Sequence, residues 1–151
     1  EDTHRLVAGR PLVLGGVTIP FHLGLLGHSD ADALAHAAMD AMLGACALGD
    51  IGKLFPDTDP QYAGICSLTL LTQVLRRTLA QGYALSNLDA TIVAQQPKLA
   101  PHIPAMRAKL AAAMACGQER ISIKATTPEG CGPEGALESI TVRCVCSMEA
   151  I

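Results

Sequence analysis

The stretch "GLLGHSDADALAHAAMDAMLGACALGD", Gly24–Asp50, places two histidines and four aspartates in or beside a segment of small apolar residues. The apolar residues recur with helical spacing as far as Leu48, and Gly49 ends the pattern. Ser29 is the expected N-cap, followed by two aspartates in the first turn. The stretch therefore predicts a long helix that builds the core while carrying titratable side chains.

Turn signals and periodicity divide the rest of the chain into short elements. A hairpin is expected where Gly15-Gly16 separates two β-prone runs, and a surface loop, long enough to act as a lid, is expected in "DIGKLFPDTDPQYAGI". The remaining predicted elements are a helix from Ser67 that ends near Gly82, a strand in "LSNLDATIVAQ", a helix over about 105–115, and strands in "ISIKATT" and "ITVRCVCSM".

The order of these elements predicts the fold class. Strand pairs mixed with crossover helices indicate an α/β (α+β) two-layer sandwich, in which helices cover one face of a mixed sheet. A chain of 151 residues is the size of one ordinary domain, so residues 1–151 are expected to form a single domain. Because three helices are too few to cover both faces of the sheet, we expect association with other copies through the open face.

Composition argues against several classes of function. The net charge of -3 and the lack of a basic block argue against nucleic-acid binding. No apolar run reaches the roughly 18 to 20 residues that span a bilayer, so no membrane partner is expected. Six cysteines follow no small secreted framework, which favours a reducing compartment. Cys144 and Cys146 are expected on one face of a strand, as small buried side chains rather than metal ligands.

A candidate metal site emerges from two places in the sequence. Asp32, His36 and Asp40 are four residues apart, so they form a polar line along the helix. Asp2 and His4 face the same way in an extended segment. A carboxylate and two imidazoles, one of them from His36, would suit a divalent metal with one position open for substrate. For His36 taken alone a structural role is an equal alternative, and the Asp2-His4 pair changes that balance, although nothing local proves that His36 meets the pair.

Two further motifs suit phosphate. "KATTPEG" places the hydroxyls of Thr126 and Thr127 at a strand end beside Glu129, whose carboxylate suits Mg²⁺. His28 and Ser29 stand at the expected helix N-terminus, where free N–H groups attract anions. Each motif also has an ordinary interpretation, as strand-end residues and as a helix cap.

Five stretches together resemble the 2-C-methyl-D-erythritol 2,4-cyclodiphosphate synthase family of the non-mevalonate isoprenoid pathway. The resemblance runs in unbroken order from Asp2 to about Gly130, and the block from Gly24 to Tyr62 is its most specific part. The stretches are "DTHR", "LGGVTIP", "GLLGHSDADALAHAAMDAMLGACALGDIGKLFPDTDPQY", "DATIVAQQPKLAPHIPAMR" and "KATTPEG".

The resemblance implies a homotrimer whose sheets face the threefold axis, with active sites between neighbouring subunits. It also implies a lyase-type cyclase, in which the 2-phosphate of 4-diphosphocytidyl-2-C-methyl-D-erythritol 2-phosphate attacks the β-phosphorus and CMP is released. The cofactors expected by resemblance are one Zn²⁺ per subunit and a second ion, Mg²⁺ or Mn²⁺. The expected location is a bacterial cytoplasm, or alternatively a plastid stroma.

The resemblance assigns roles residue by residue. Zn²⁺ would be held by Asp2, His4 and His36, and the second ion by Glu129. His28 and Thr127 match positions that stabilise the transition state. The implied substrate-binding positions are Ser29, Asp50, Ile51, Gly52, Phe55, Pro56, Asp57, Thr58, Asp59, Thr126 and Pro128. The implied nucleotide-binding positions are Ala94, Gln95, Gln96, Pro97, Lys98, Leu99 and Ala100.

The sequence departs from the family after Glu129. Pro133 and Ala136 stand where the family carries an aromatic residue and an arginine, which in the family line a central cavity for isoprenoid diphosphates, while Glu138 still matches a structural carboxylate. The altered loop leaves one alternative, a trimeric subunit that binds CDP with little or no catalysis. A second alternative is a non-haem Fe(II) oxygenase, because one carboxylate and two histidines also form its metal site.

Overall fold

The computed structural model describes residues 1–151. The strands are β1 (Asp2–Ala8), β2 (Leu12–Leu14), β3 (Val17–Ile19), β4 (Leu23–Leu25), β5 (Tyr83–Val93), β6 (Ile121–Thr126) and β7 (Ser139–Ala150). The helices are α1 (Ala33–Ala45), α2 (Ile51–Leu54), α3 (Ser67–Ala80), α4 (Ile103–Ala113) and α5 (Gly132–Gly135). None of these helices has the length and apolar character needed to cross a bilayer.

Five strands form one mixed sheet in the order β4-β1-β7-β5-β6. The β5–β6 pair is parallel and the other pairs are antiparallel. Helix α1 packs against the central strands, and α3 and α4 pack beside it over β5 and β6. This arrangement confirms the predicted α+β architecture with a mixed sheet covered by helices.

The core lies between this helical layer and the sheet, and small side chains allow a close approach. Residues Ala33 to Met39 of α1 are all buried, so the helix is enclosed on most of its circumference. Leu88, Ala90 and Ile92 of β5 face it and are fully buried. A helix so enclosed can carry a polar side chain only where that side chain finds partners.

The predicted hairpin is confirmed at Gly15-Gly16, which joins β2 to β3. Both glycines have positive φ angles, 59° and 72°, as a two-residue hairpin turn requires. A Cβ on Gly15 would lie 2.9 Å from the Cβ of Met106, so the turn also packs tightly against α4.

The prediction that Ser29 caps α1 is wrong, because Asp32 is the N-cap and the helix ends at Ala45 rather than Leu48. The Asp32 carboxylate accepts hydrogen bonds from the N–H of Ala35 and from those of Gly15 and Gly16 in the hairpin. Burial raises the pKa of Asp32, against the opposing effect of these backbone donors. The hairpin thus fixes where the helix begins.

Residues 50–65, predicted as an irregular loop, contain more regular structure. Helix α2 begins after Asp50, which caps the N–H of Lys53, and the Asp40 carboxylate accepts from the N–H of Ile51. A 3-10 turn, Pro60–Tyr62, follows Asp59, which caps it. The aspartates that made this stretch look unstructured are used as caps, which is a common role of Asp.

The sheet face opposite the helices lies open to solvent. On β7 it carries Arg143 and Val145, and Val145 is 68% exposed. Two ion pairs lie on this face: Arg143 with Glu1 at 2.9 Å, and Lys124 with Asp89 at 2.6 Å. A charged and partly apolar sheet face without a covering layer is typical of an interaction surface.

Candidate active site

The side chains of Asp2, His4 and His36 meet at one point between β1 and α1. Asp2 and His4 lie two residues apart on β1 and therefore face the same side, toward the helices. One ligand atom from each of the three residues lies within 4.8 Å of the other two. We name these three residues the metal triad.

The distances within the triad suit a tetrahedral ion. His4 Nε2 lies 2.8 Å from Asp2 Oδ2 and 3.2 Å from His36 Nδ1, and Asp2 Oδ2 lies 3.4 Å from His36 Nδ1. Four ligands at 2.0–2.1 Å from zinc would be about 3.3 Å apart. Asp2 Oδ2 is buried and makes no well-directed hydrogen bond, although both histidine nitrogens are near. The three atoms are therefore placed to share an ion, and three protein ligands leave one tetrahedral position open.

Each histidine has a hydrogen-bond partner on its other ring nitrogen. His4 Nδ1 donates to the carbonyl oxygen of Leu26 at 2.7 Å. His36 Nε2 lies 2.9 Å from the hydroxyl oxygen of Ser67. Such partners fix the tautomer and orientation of metal-binding imidazoles. When neutral, both rings thus direct their unprotonated nitrogen to the common point.

The charges within the triad shift its pKa values. Burial opposes ionisation of Asp2, but the close imidazoles of His36 and His4 outweigh it and lower the pKa of Asp2 to about 2. Burial alone would lower the pKa of His4, yet its contacts with Asp2 raise it. Asp2 is therefore a carboxylate at neutral pH, ready to bind a cation.

A cavity of about 360 Å³ opens beside the metal triad. It brings together many of the positions predicted from the sequence, and Tyr62 and Leu70 also line it. The predicted residues in this cavity are Asp2, His4, His28, Ser29, His36, Ile51, Gly52, Phe55 and Asp57.

His28 connects this cavity to the loop that follows α2. Its Nε2 donates to the carbonyl oxygen of Asp59 at 2.8 Å, and its own carbonyl accepts from the N–H of Gly64 at 2.8 Å. Phe55 and Tyr62 of the loop pack edge to face, with ring centroids 5.4 Å apart. Ser29 is buried, and its carbonyl accepts from Arg10 rather than facing solvent. Pro56 and Thr58 are exposed on the loop.

A second cavity, of about 320 Å³, lies at the opposite edge of the sheet and is named here the nucleotide groove. The Gln96-Pro97 peptide bond within it is cis. Lys98 is exposed, whereas Ala94 and Leu99 are buried, so the groove offers mainly backbone groups at those two positions. The groove is lined by Ala94, Gln95, Gln96, Pro97, Lys98, Leu99, Ala100, Ala125, Thr126 and Thr127.

Glu129 lies next to this groove in an exposed turn with Pro128. The Thr127 hydroxyl donates to the Glu129 carboxylate at 3.3 Å, and the N–H of Gly130 donates to the side-chain oxygen of Gln95 at 2.9 Å. Glu129 has a φ angle of 54°, a left-handed conformation that disfavours residues other than glycine. A strained backbone at an exposed carboxylate is a feature often found at functional sites.

The two cavities are not joined within one chain. A row of paired strand residues leads across the sheet from the triad to the groove. Asp2 pairs with Val142, Val142 with Ile92, and Ile92 with Ala125, so the row crosses three strand spacings. At 4.7–4.9 Å per spacing, the separation is about 14 Å. Val142 and Ile92 are fully buried beneath the helices. His28 and Thr127, the two predicted catalytic residues, therefore face different cavities, and Glu129 lies apart from the triad.

The largest cavity, about 650 Å³, lies neither at the metal triad nor at the nucleotide groove. It lies beside α5 and is lined by Thr3, Arg5, Leu6, Pro133, Leu137, Glu138 and Ser139. Pro133 thus faces a cavity in which Arg5 supplies the cationic side chain, whereas Ala136 is not among the lining residues. The metal triad, not the size of the cavity, identifies the site of chemistry.

Sequence reasoning missed two residues of this site. Ser67 contacts the outer nitrogen of His36 and donates in turn to Asp30, and Ser67 is fully buried. They are 37 residues apart, so no local spacing could have linked them. The only signal was a hydroxyl at the first position of a predicted helix, which has an ordinary capping interpretation.

Comparison with known proteins agrees with this geometry. The model of the YgbB family matches residues 1–149. The 2-C-methyl-D-erythritol 2,4-cyclodiphosphate synthase of Geobacter sulfurreducens is 58% identical over 148 residues, covering 98% of this chain and 94% of that protein. A solved 2C-methyl-D-erythritol-2,4-cyclodiphosphate synthase in its CDP-bound form has a TM-score of 0.89 at 41% identity, with 98% of this chain and 96% of that one covered.

A bifunctional protein shares the same fold. IspDF from Campylobacter jejuni gives a TM-score of 0.96 at 40% identity, with 99% of this chain covered. This chain spans only 41% of the length of that protein. From the family match, the identity and the fold together, the chain belongs to the YgbB family, as an enzyme of the 2-C-methyl-D-erythritol 2,4-cyclodiphosphate synthase group.

Proposed function

We propose that the protein converts 4-diphosphocytidyl-2-C-methyl-D-erythritol 2-phosphate into 2-C-methyl-D-erythritol 2,4-cyclodiphosphate and CMP. An oxygen of the 2-phosphate forms a bond to the β-phosphorus, and the bond from that phosphorus to the CMP oxygen breaks. No water and no protein nucleophile is consumed. The observation that carries the proposal is the metal triad, with an open position facing a cavity, in a chain 58% identical to such a synthase.

Asp2, His4 and His36 would hold zinc, and Glu129 would contribute to a second site for Mg²⁺ or Mn²⁺. Such ions supply a Lewis acid that neutralises phosphate charge and aligns the reacting groups. The donor set fits zinc, because two imidazoles, one carboxylate and one open position are typical of catalytic zinc sites. An exposed carboxylate suits a harder cation that retains several waters.

The residues around the triad would hold the rest of the substrate. His28 and Ser29 line the cavity next to the metal triad and would contact the phosphates, with Ile51, Gly52, Phe55 and Asp57 around the methylerythritol. Because His28 also holds the carbonyl of Asp59, it couples phosphate binding to the loop of residues 55–59. Asp50 would accept from the ribose hydroxyls, since its carboxylate is exposed at the start of α2.

The nucleotide groove would bind the CMP part of the substrate. Backbone groups of residues 94–100 would read the cytosine edge, and Lys98 would approach the phosphates. The hydroxyls of Thr126 and Thr127 would donate to phosphoryl oxygens as charge develops on them. The CDP-bound form of the solved synthase supports a ligand of this chemistry in the groove.

We further propose that the metal triad of one copy and the nucleotide groove of a neighbour form each active site, in a homotrimer that packs through its open sheet faces. Two observations support this assembly. The buried core separates the two cavities of one chain, and the open face carries the exposed Val145 beside two ion pairs.

The assembly can be tested at Val145. Val145→Glu should place a charge in the apolar part of the interface, and sedimentation should then show monomers that bind zinc but release no CMP. The matched control is Leu79→Glu, because Leu79 is an exposed leucine on α3, away from the open face. A Val145→Glu protein that remains trimeric and active would contradict the proposed interface.

The central experiment measures CMP release from the substrate, with and without added Mg²⁺, on protein whose zinc content is known. Release that depends on Mg²⁺, with about one zinc per chain, is the expected result. Bound zinc and CDP without release would favour the catalytically weak binding subunit. Iron in place of zinc, with oxygen consumption, would favour the oxygenase.

The location of the protein, in a bacterial cytoplasm or a plastid stroma, stays a prediction.

A further inference from the structure

We propose that Ser67 and Asp30 position the imidazole of His36 for metal binding, as a hydrogen-bonded relay behind the ligand. The inference rests on the metal site proposed above and adds two positioning residues to it. Ser67 Oγ lies 2.9 Å from His36 Nε2 and 2.5 Å from Asp30 Oδ1. Ser67 is fully buried, so its hydroxyl has only protein partners.

Counting protons fixes the direction of the relay. A carboxylate accepts hydrogen bonds and has none to donate, so the one proton of the Ser67 hydroxyl points to Asp30. The lone pairs of Ser67 Oγ then face His36 Nε2, which must carry the proton. Nδ1 is left with a free lone pair, and that atom belongs to the metal triad.

A second hydroxyl near His36 does not reverse this assignment. Ser29 Oγ lies 3.2 Å from His36 Nε2, and it accepts from the N–H of Ala31 at 3.2 Å. If Ser29 donated to an unprotonated Nε2, the lone pairs of that nitrogen and of Ser67 Oγ would face each other at 2.9 Å. Ser67, bound to Asp30, therefore determines the tautomer.

Asp30 is itself held by the backbone. Its Oδ2 accepts from the N–H of Ser67 at 3.0 Å, its Oδ1 accepts from the N–H of Asp32 at 3.2 Å, and its own N–H donates to the carbonyl of Ile65. Helix α3 has Cys66 at its N-cap position, without a side-chain capping bond. Asp30 thus caps α3 from another segment, which locks Ser67 in place behind His36.

As a consequence, His36 is a metal ligand that is oriented before the metal binds. An imidazole with a free choice of tautomer and rotamer loses that freedom on binding, whereas His36 has lost it on folding. Partners of this kind change metal affinity by about 10–100-fold when they are removed.

Ser67→Ala tests the relay directly, because it removes the hydroxyl and keeps the backbone N–H that donates to Asp30. We expect the zinc dissociation constant, measured by competition with a chelator, to rise by about 10–100-fold. The ligand-field bands of the Co²⁺-loaded variant should change, which loss of stability alone would not cause. Thr69→Ala is the matched control, because Thr69 is an exposed hydroxyl in the same helical turn. Ser67→Thr retains the hydroxyl and should restore affinity.

Asp30→Asn gives a second test that leaves the Ser67 hydroxyl in place. An amide can donate as well as accept, so Ser67 is no longer forced to present lone pairs to His36, and zinc affinity should fall. Wild-type affinity and an unchanged Co²⁺ spectrum in both variants would overturn the relay while leaving the metal site standing. Failure of the unmodified protein to bind zinc would instead overturn the proposed metal site and the relay together.

Discussion

The metal triad and the nucleotide groove are built in opposite ways. The triad is half-buried or buried, its ligand atoms already converge, and each histidine is held from behind by a second segment of the chain. The groove ends in exposed side chains, and Thr127 and Glu129 bond mainly to each other. One half of the proposed active site is thus fixed by contacts within the chain, and the other half is more exposed.

This difference follows from what each half must bind. A metal ion is small and tolerates little error in the position of its ligands, so the protein must fix them on folding. A nucleotide is large and brings its own hydrogen-bonding groups, so a groove of backbone groups can bind it with fewer fixed side chains. Mutations in the triad should therefore lower zinc binding and, with it, turnover, whereas mutations in the groove should lower turnover and leave zinc binding unchanged.

The largest effect is expected for His36→Ala, which removes one ligand from the metal triad. Loss of one of three protein ligands should abolish stable zinc binding and lower the rate by about 10³-fold or more, the equivalent of several kcal/mol of charge stabilisation. The helix should persist, because Ala is the better helix former. Metal analysis and circular dichroism would check both statements. His22→Ala is the matched control, since His22 is exposed on the loop before β4; full zinc and full rate in His36→Ala would refute the ligand role.

Thr127→Ala acts on the other half and should separate binding from turnover. Its hydroxyl is proposed to donate to phosphate in the transition state, so the turnover number should fall by about 10²-fold. Affinity for CDP should change far less, and zinc content not at all. Steady-state kinetics and CDP titration measure the two quantities, with Thr18→Ala, an exposed hydroxyl on β3, as the control. Equal losses in both quantities would count against the assigned role.

Gly27→Ala sharpens the comparison by disturbing the triad without removing a ligand. The new Cβ would lie 2.9 Å from the Cβ of Ala31 and 3.0 Å from Cε1 of His4, so the ring must move. We expect zinc affinity to fall by about tenfold, as for loss of an orienting contact. CDP affinity should be unchanged. An unshifted zinc affinity would mean that the ring of His4 has more room than these distances imply.

Gly44→Ala is the counterpart of that variant. Gly44 lies in α1, and an added Cβ would meet nothing within 4 Å. This substitution should stabilise the protein by about 0.5–1 kcal/mol, because glycine is the poorer helix former. Thermal unfolding in the metal-free state would compare the stability of Gly44→Ala with that of Gly27→Ala.

The last expected effect is a pH dependence of zinc binding in the unmodified protein. Contacts with Asp2 raise the pKa of His4, so below that pKa a proton must leave the ring before the metal binds. Apparent zinc affinity should therefore fall as the pH is lowered through the pKa of His4, by about tenfold per pH unit for each proton displaced. Asp2 adds no such dependence near neutrality, because its pKa is about 2. Chelator competition across pH would measure the slope, and a flat profile between pH 5 and 8 would contradict it.

Local pattern was enough for much of the fold. The Gly15-Gly16 hairpin, the long strands and α1 and α3 all follow from periodicity and turn chemistry, which act over a few residues. The start of α1 could not be read in the same way. Ser29, Asp30 and Asp32 are all good N-caps, and the choice fell to Asp32 because the hairpin supplies two more N–H donors from residues 15 and 16.

The sequence by itself determined which residues could carry the chemistry. The Asp2-x-His4 pair and His36 are residue types that suit a catalytic metal, and the family resemblance of the sequence extends to the loop and the groove. Only the tertiary structure decided that these three side chains meet, that Ser67 and Asp30 stand behind His36, and that the nucleotide groove, at Ala125, lies about 14 Å from Asp2 across the sheet. The physical reason is that side-chain convergence depends on strand order and on caps between segments far apart in the chain, which local spacing does not encode.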